Sequence, residues 1–306
     1  MRVKRDLVRA SDAPVALTIG NFDGVHRGHQ AMLARLVEAA EDLRLPPAVL
    51  TFDPHPREFF SKASAPPRVS TVRSKLALFR AYGVAITYIA RFDERLASLT
   101  ADEFVADVLE RRLATRWLLV GEDFRFGRGR GGDLALLRSA ARTFSVEAMR
   151  TVEVGGMRAS STVVRSALAD GDLDLAKALL GRNYTLSGHV THGDKLGKRL
   201  GFPTANLTLR HPPALTGIFA VRVHGLGHGA REGVASVGVR PTIASGGRPI
   251  AEVYLLDFEG AIYGRRISIE FLRKLRDEER FPDLAALTQQ IGRDVEDARR
   301  YFAAQT

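Results

Sequence analysis

The chain has 306 residues, enough for two domains, with the 45% hydrophobic and 26% charged composition of an ordinary globular protein and no apolar stretch of bilayer-spanning length. It has no cysteine, which excludes disulfides, thiolate metal sites and cysteine nucleophiles. A net charge of +10 suits a nucleic-acid surface, small polyphosphate ligands or a merely arginine-rich composition, but the basic residues are dispersed, so no nucleic-acid partner is expected.

The first apolar run, 15–19, is too short for the core of a secretory signal, and a cytoplasmic location is expected. From there to about residue 180, short β-branched runs alternate with segments of helical period, which predicts a parallel sheet covered by helices. The expected strands are 15–20, 47–53, 84–90, 116–121 and 145–152. A helix over 28–43 carries Met32, Leu36, Ala39 and Leu43 on one stripe, and Thr100 with Glu103 forms a capping-box pattern for a helix over 100–114. The helical run Leu173–Leu180 stops at Gly181, so residues 1–182 and 183–306 are taken as two domains. Six short runs follow, punctuated by glycine and proline: 184–192, 203–209, 217–224, 232–239, 251–258 and 266–272 predict an antiparallel barrel or sandwich. A closing helix from about 283 to 302, capped by Asp283, spaces Leu284, Leu287, Ile291, Val295 and Ala298 for packing on that sheet.

The strand 15–20 runs into Gly20-Asn21-Phe22-Asp23-Gly24-Val25-His26-Arg27-Gly28-His29 and then into a helix. A strand-to-helix turn at the carboxyl edge of a parallel sheet is where α/β proteins bind nucleotides. Glycine lets backbone approach a phosphate, a helix start offers free N–H groups, and His26 and His29, one turn apart, add donors for the same anion. Read alone, a Gly-x-x-His fragment is an ordinary loop with exposed histidines, and the pair lacks the third ligand a metal would want. The whole string resembles the nucleotidyltransferase signature with a His-x-Gly-His core. That resemblance implies ATP binding by Gly20, Phe22, Asp23, Gly24, His26 and His29, and attack of a substrate phosphate on the α-phosphorus with pyrophosphate leaving.

Ser160-Ser161-Thr162-Val163-Val164-Arg165 reads by itself as a helix cap with a solvated arginine. Behind the histidine string it resembles the superfamily's Ser-Ser-Thr-x-x-Arg motif, which implies that Ser161, Thr162 and Arg165 bind the triphosphate and that Arg165 counters charge on the leaving group. The segments 50–57 and 121–133 are turns or loops when read singly. Together they resemble the FMN adenylyltransferase module of prokaryotic FAD synthetases, implying that Asp123 and Phe126 lie beside a flavin ring.

In the second half, the stretch 188–207 has the wrong spacing for a Walker motif and no helical pattern behind it. Thr204 and Asn206 present two neutral oxygens on one side of a strand, which suits magnesium bound to ATP. The string around Gly201-Phe202-Pro203-Thr204-Ala205-Asn206 resembles the riboflavin kinase signature. The resemblance implies that Thr204 and Asn206 hold magnesium–ATP and that Gly193, Gly197 and Lys198 cover the phosphates. It also implies that Glu252, before Asp257-Phe258 and Tyr263-Gly264, is the base for the riboflavin 5′-hydroxyl; read alone, Glu252 is a solvent-facing strand residue. Two departures stand out: Ser236 where Asn is frequent, and Lys198 where Arg is frequent, which keeps the charge but not the planar fork.

Motifs in this order, spanning nearly the whole chain, resemble the bifunctional riboflavin kinase/FMN adenylyltransferase (FAD synthetase) family. The fold so implied is a Rossmann-like doubly wound nucleotidyltransferase domain followed by an antiparallel six-stranded β-barrel kinase domain with a C-terminal helix. The implied ligands are ATP with Mg2+, riboflavin, FMN and FAD, with flavins as substrate and product, and neither nucleic acid nor membrane. The sequence leaves the oligomeric state open. The alternatives are a chain with one active half, and a flavin- or nucleotide-binding regulator without turnover; the presence of His29, Arg165 and Glu252 speaks against the regulator.

Overall fold

A computed structural model describes all residues except 8–12, 62–64, 194–195, 228, 240–248 and 306, and the side chains of 196, 198 and 239. The chain divides into two compact units, one of Met1–Pro66 with Ser70–Ser161 and one of Pro67–Val69 with Thr162–Thr306.

The first unit is built on six parallel strands: β1 Arg2–Arg5, β2 Val15–Ile19, β3 Pro47–Phe52, β4 Ile86–Ala90, β5 Thr115–Gly121 and β6 Ser145–Met149. Their order across the sheet is β1-β4-β3-β2-β5-β6. All five residues of β2 and of β4 are buried, as expected of strands covered on both faces. Alternate residues divide between the faces. Leu17, Ile19, Leu50, Tyr88, Leu118 and Val120 pack with Phe104, Val108 and Leu109. Ala16, Val49, Trp117 and Leu119 pack with Leu33, Leu36 and Phe79. The sheet is therefore doubly wound, with the helices Arg27–Asp42 and Val72–Ala81 on one face and the 101–112 segment on the other.

Three local features differ from the periodicity. β1 is wholly exposed and all but one of its residues are basic, so hydrophobic patterning does not reveal it. The helix 27–42 buries Leu33, Leu36, Ala39 and Ala40, while Leu43 falls at the cap and is 48% exposed. The Thr100–Glu103 capping box forms, yet beyond one turn the segment Phe104–Arg112 widens into a π-helix, closed by Leu113 N–H donating to Val108 O at 3.0 Å. After β6 comes a small hairpin, β7 Glu153–Val154 and β8 Met157–Arg158.

The second unit begins inside the helix Ser161–Asp170 and contains Leu173–Leu180, closed by Gly181 at φ 68°. Six antiparallel strands then form a closed barrel in the order β10-β13-β12-β11-β14-β9. They are β9 Thr185–Thr191, β10 Thr204–Thr208, β11 Gly217–His224, β12 Arg231–Val239, β13 Pro249–Leu255 and β14 Arg266–Arg276. Period-two alternation sorts their side chains. Ala205, Leu207, Phe219, Val221, Ala235, Val237, Ala251 and Val253 are buried; Thr204, Ser236, Glu252 and Tyr254, on the opposite side, are partly exposed.

The helix Leu284–Ala303 starts at Asp283, whose side chain accepts from Ala286 N–H at 2.8 Å. Its Val295, Ala298 and Phe302 cover Ile218, Ala220, Val234 and Leu256 on the outer barrel face. Arg276 at the end of β14 makes two 2.7 Å bonds to Asp294 of this helix, and Gln290 Nε2 donates to the same carboxylate at 3.0 Å. Removing one partner strands the other's charge in a mostly buried place, so Asp294→Ala should destabilise the second unit by about 3 kcal/mol. The surface substitution Arg300→Ala should leave the urea midpoint unchanged; circular dichroism through a urea titration reads both.

Candidate active sites

The first site lies where β2 ends. The chain leaves β2 through the helix 27–42 towards β3 on one side, while β5 lies on the other, so the carboxyl ends of β2 and β5 open a crevice at a topological switch point. A cleft of about 210 Å³ occupies it, walled by Gly20, Phe22, His26 and His29, by residues 122–124 after β5 and 149–152 after β6, and by Arg158.

The loop backbone departs from ordinary geometry: Phe22, Gly24 and Val25 have φ of 51°, 82° and 43°. For phenylalanine and a β-branched valine that region costs on the order of 1–3 kcal/mol each, so it persists only under restraint. Asp23 supplies much of it, accepting from Ser70 N–H at 2.9 Å and Ser70 Oγ at 3.1 Å, while Ser70 Oγ accepts from Gly24 N–H at 2.9 Å. Ser161 Oγ donates to Asp23 O at 2.8 Å, and Gln30 Nε2 to Val25 O at 2.9 Å. Gly28 sits in a tight spot: a Cβ there would lie 3.2 Å from both Ala159 O and the His26 ring, so one of them would have to shift by a few tenths of an ångström.

His26 is the N-cap of the helix, with Nδ1 accepting from His29 N–H at 3.4 Å. The two rings stack at 3.7 Å. Burial, then the neighbouring His26 and Lys75, hold His29 well below the ordinary imidazole range, so it is neutral at pH 7. Its Nδ1 is buried with no hydrogen-bond partner among the described residues. An anion entering the cleft therefore meets the two stacked imidazoles and a helix start, which can offer it N–H donors.

Asp123 lines this cleft and forms an ion pair with Arg158. Phe126 does not line it; it is buried beside Phe104 and Phe124, and Phe124 forms part of the wall. Ser161 opens its helix, so the serine-threonine motif lies inside the first turn instead of before it. Thr162 and Arg165 belong to the second compact unit, where Arg165 Nε donates to Pro67 O at 2.9 Å. Sequence reasoning missed Ser70, Phe124 and Arg158, which come from separate segments with no recurring spacing to the histidine string.

The second site forms on the outer face of the barrel. Asn206 on β10 pairs with Glu252 on β13, which pairs with Ser236 on β12, so these polar side chains share a face. With Thr204 they line a cleft of about 470 Å³ whose other wall includes Arg276, Glu278, Phe281 and Asp294. Burial pushes the Glu278 carboxyl up, and Arg276 partly opposes this. Asn206 is 6% exposed, and its Oδ1 has no hydrogen-bond partner among the described residues. Gly193 lies directly on it, since a Cβ there would sit 2.5 Å from the amide. Gly197 presses on Phe202 O and lies close to Thr204 Oγ1. The side chain of Lys198 lies outside the described residues.

Among the described residues no group of three or more His, Cys, Asp or Glu could hold a metal by itself. Two neutral oxygens, one of them orphaned, across from a carboxylate do suit magnesium that arrives with phosphate and water ligands.

Residues 8–163 match the FAD synthetase family and residues 180–302 the riboflavin kinase family. The chain is 46% identical over 308 residues to a bifunctional riboflavin kinase/FMN adenylyltransferase of Escherichia coli K12, covering 99% of this chain and 98% of that one. It is 49% identical over 289 residues to the protein of the same description from Pseudomonas fluorescens, covering 94% and 92%. A solved structure described as a macrolide-efflux protein from Streptococcus pneumoniae superposes with a TM-score of 0.81 at 28% identity, over 98% of this chain and 99% of that one. Efflux is said of that protein; among the described residues here no helix is long and apolar enough to cross a membrane.

Neutral His29 has a consequence for stability. The unfolded chain takes up a proton there below about pH 6.5 while the folded chain resists, so stability is full above that pH and falls as pH drops towards the depressed folded value. The melting temperature should fall between pH 7.5 and 5.5, and His29→Gln should make the fall shallower.

Proposed function

The chain belongs to the bifunctional riboflavin kinase/FMN adenylyltransferase family, phosphorylating riboflavin to FMN and adenylylating FMN to FAD, and we propose that each reaction runs at one of the two clefts. The adenylyl transfer is assigned to the β2 loop and the phosphoryl transfer to the barrel face. The register of Asn206, Glu252 and Ser236 across three strands carries the kinase assignment, because it aligns a base with neutral metal ligands.

In the kinase cleft, Thr204 Oγ1 and Asn206 Oδ1 hold magnesium–ATP while Gly193 and Gly197 lie over them and exclude water. Magnesium held there would supply charge neutralisation to the phosphates. Glu252 accepts the proton of the riboflavin 5′-hydroxyl, whose oxygen forms a bond to the γ-phosphorus as the bond to ADP breaks. Lys198 supplies positive charge over the phosphates. Ser236 keeps a hydroxyl in the row and offers one donor where an amide would offer two.

In the other cleft, Gly20, Phe22, Asp23 and Gly24 shape the phosphate loop, and His26 and His29 donate to the ATP phosphates. An oxygen of the FMN phosphate attacks the α-phosphorus, and the bond to pyrophosphate breaks. The protein contributes alignment and charge stabilisation, with no covalent step of its own. Ser161, Thr162 and Arg165 act on the triphosphate, Arg165 on the leaving group, and Asp123 serves the flavin side, where buried Phe126 backs the Phe124 of the wall. The Ser161 bond to Asp23 supports a link between that motif and the loop.

The boundary between the activities is proposed at 182/183, after the left-handed Gly181, although the compact units divide at Ser161 and residues 164–179 belong to neither family match. A reaction pair that consumes ATP fits a cytoplasmic setting, with no nucleic acid or membrane as partner.

Two separate clefts make the activities separable. Asn206→Ala should reduce FMN formation from riboflavin at least 100-fold, roughly the scale of losing a metal or transition-state contact, and leave FAD formation from supplied FMN within twofold. His29→Ala should do the reverse. Loss of both reactions in a folded variant, read by chromatography of the flavins, contradicts the assignment.

A further inference from the structure

The strained β2 loop is held by a second helix whose contribution no motif announces. Immediately before the helix Val72–Ala81, Ser70 ties Asp23 and Gly24. One turn into it, Lys75 Nζ donates to Asn21 O at 3.0 Å and contacts Thr51 Oγ1 at 3.4 Å, while Thr51 Oγ1 donates to the same Asn21 O at 3.3 Å. A turn further on, Phe79 meets the edge of the buried Phe22 ring at 5.2 Å. The helix and the residue leading into it thus grip residues 21, 22, 23 and 24 in succession.

Lys75 is only 6% exposed. Removing an ammonium that far from water is costly, so the position demands a return beyond packing. Its place explains one. A carbonyl that accepts from two donors has its peptide plane fixed, and in a trans peptide the N–H points opposite to the carbonyl. Lys75 therefore aims the Phe22 N–H away from itself. Phe22 lines the cleft and Lys75 does not, so the lysine acts through the loop. Its charge also contributes, after burial and His26, to keeping His29 neutral.

We propose that Lys75 is a positioning residue for adenylyl transfer, fixing the Asn21–Phe22 peptide and placing a buried positive charge behind the phosphate loop without touching substrate. This rests on the assignment of adenylyl transfer to the β2 loop. The absence of native cysteine provides a clean test. Lys75→Cys is prepared unfolded, alkylated with 2-bromoethylamine to rebuild an ammonium or with iodoacetamide to leave a neutral amide, and refolded beside wild-type protein treated identically.

The expected result is a drop of at least 30-fold in kcat for FAD formation with the KM for FMN within twofold. Aminoethylation should restore at least a third of wild-type kcat, the neutral adduct should not, and FMN formation from riboflavin should be unchanged in all forms. A kcat within threefold of wild type in the cysteine form, or equal recovery with the two adducts, overturns the proposal. So does a loss that appears in KM alone. If His29→Ala leaves FAD formation intact, the loop assignment itself fails; if His29→Ala abolishes it and Lys75→Cys does not, only the role of Lys75 fails.

Discussion

A triphosphate carries charge on every side, and backbone can approach it only where side chains are missing or pinned out of the way. Close-packed glycines of the kind that constraint asks for occur in both proposed clefts. In the first, Gly28 fits between Ala159 O and the His26 ring where a methyl group would crowd both. In the second, Gly193 lies on the Asn206 amide and Gly197 on Phe202 O, leaving no room for a larger residue. The approach has a structural cost: Phe22 and Val25 occupy the left-handed region, and the loop needs Ser70, Gln30 and Ser161 to stay there.

The scaffolds meet the constraint in different ways. A parallel sheet gathers its strand ends along one edge, so the site sits where β2 and β5 part and helix starts can face the ligand. An antiparallel barrel gathers side chains by register instead. Asn206, Glu252 and Ser236 align because each strand pairs residue for residue with the next, and the buried partners Ala205, Ala235, Val237, Ala251 and Val253 hold that register. Slipping β13 by one residue would turn Glu252 to the buried side. The kinase residues thus depend on the barrel core as directly as on their own chemistry.

Much of this was legible in the sequence because it is local. Period-two and period-3.6 patterns located five of the six parallel strands, all six barrel strands and the closing helix, and β1 escaped because an exposed edge strand has no apolar face to show. The contiguous strings 20–29 and 201–206 carried the family resemblance that the comparisons bear out. What could not be read is what comes from elsewhere: Ser70, Lys75 and Phe79 reach the loop from a helix and its lead-in about fifty residues away, and Arg158 from a hairpin. The glycines of the glycine-arginine stretch after β5 have a reason that the sequence alone does not show. Gly127 and Gly132 are small because each packs against Ala101, where a Cβ would come within 2.7 to 2.8 Å, so those glycines serve the core.

The two reactions cleave ATP at different phosphorus atoms, and the products record which bond broke. Riboflavin, excess ATP and magnesium incubated with the full chain, with ADP, pyrophosphate and flavins quantified together, tests the account most directly. It predicts one ADP per FMN at early times, and one ADP plus one pyrophosphate for every FAD at completion. FAD accumulating with pyrophosphate but no ADP, or FMN that never proceeds to FAD in the presence of excess ATP, would contradict it.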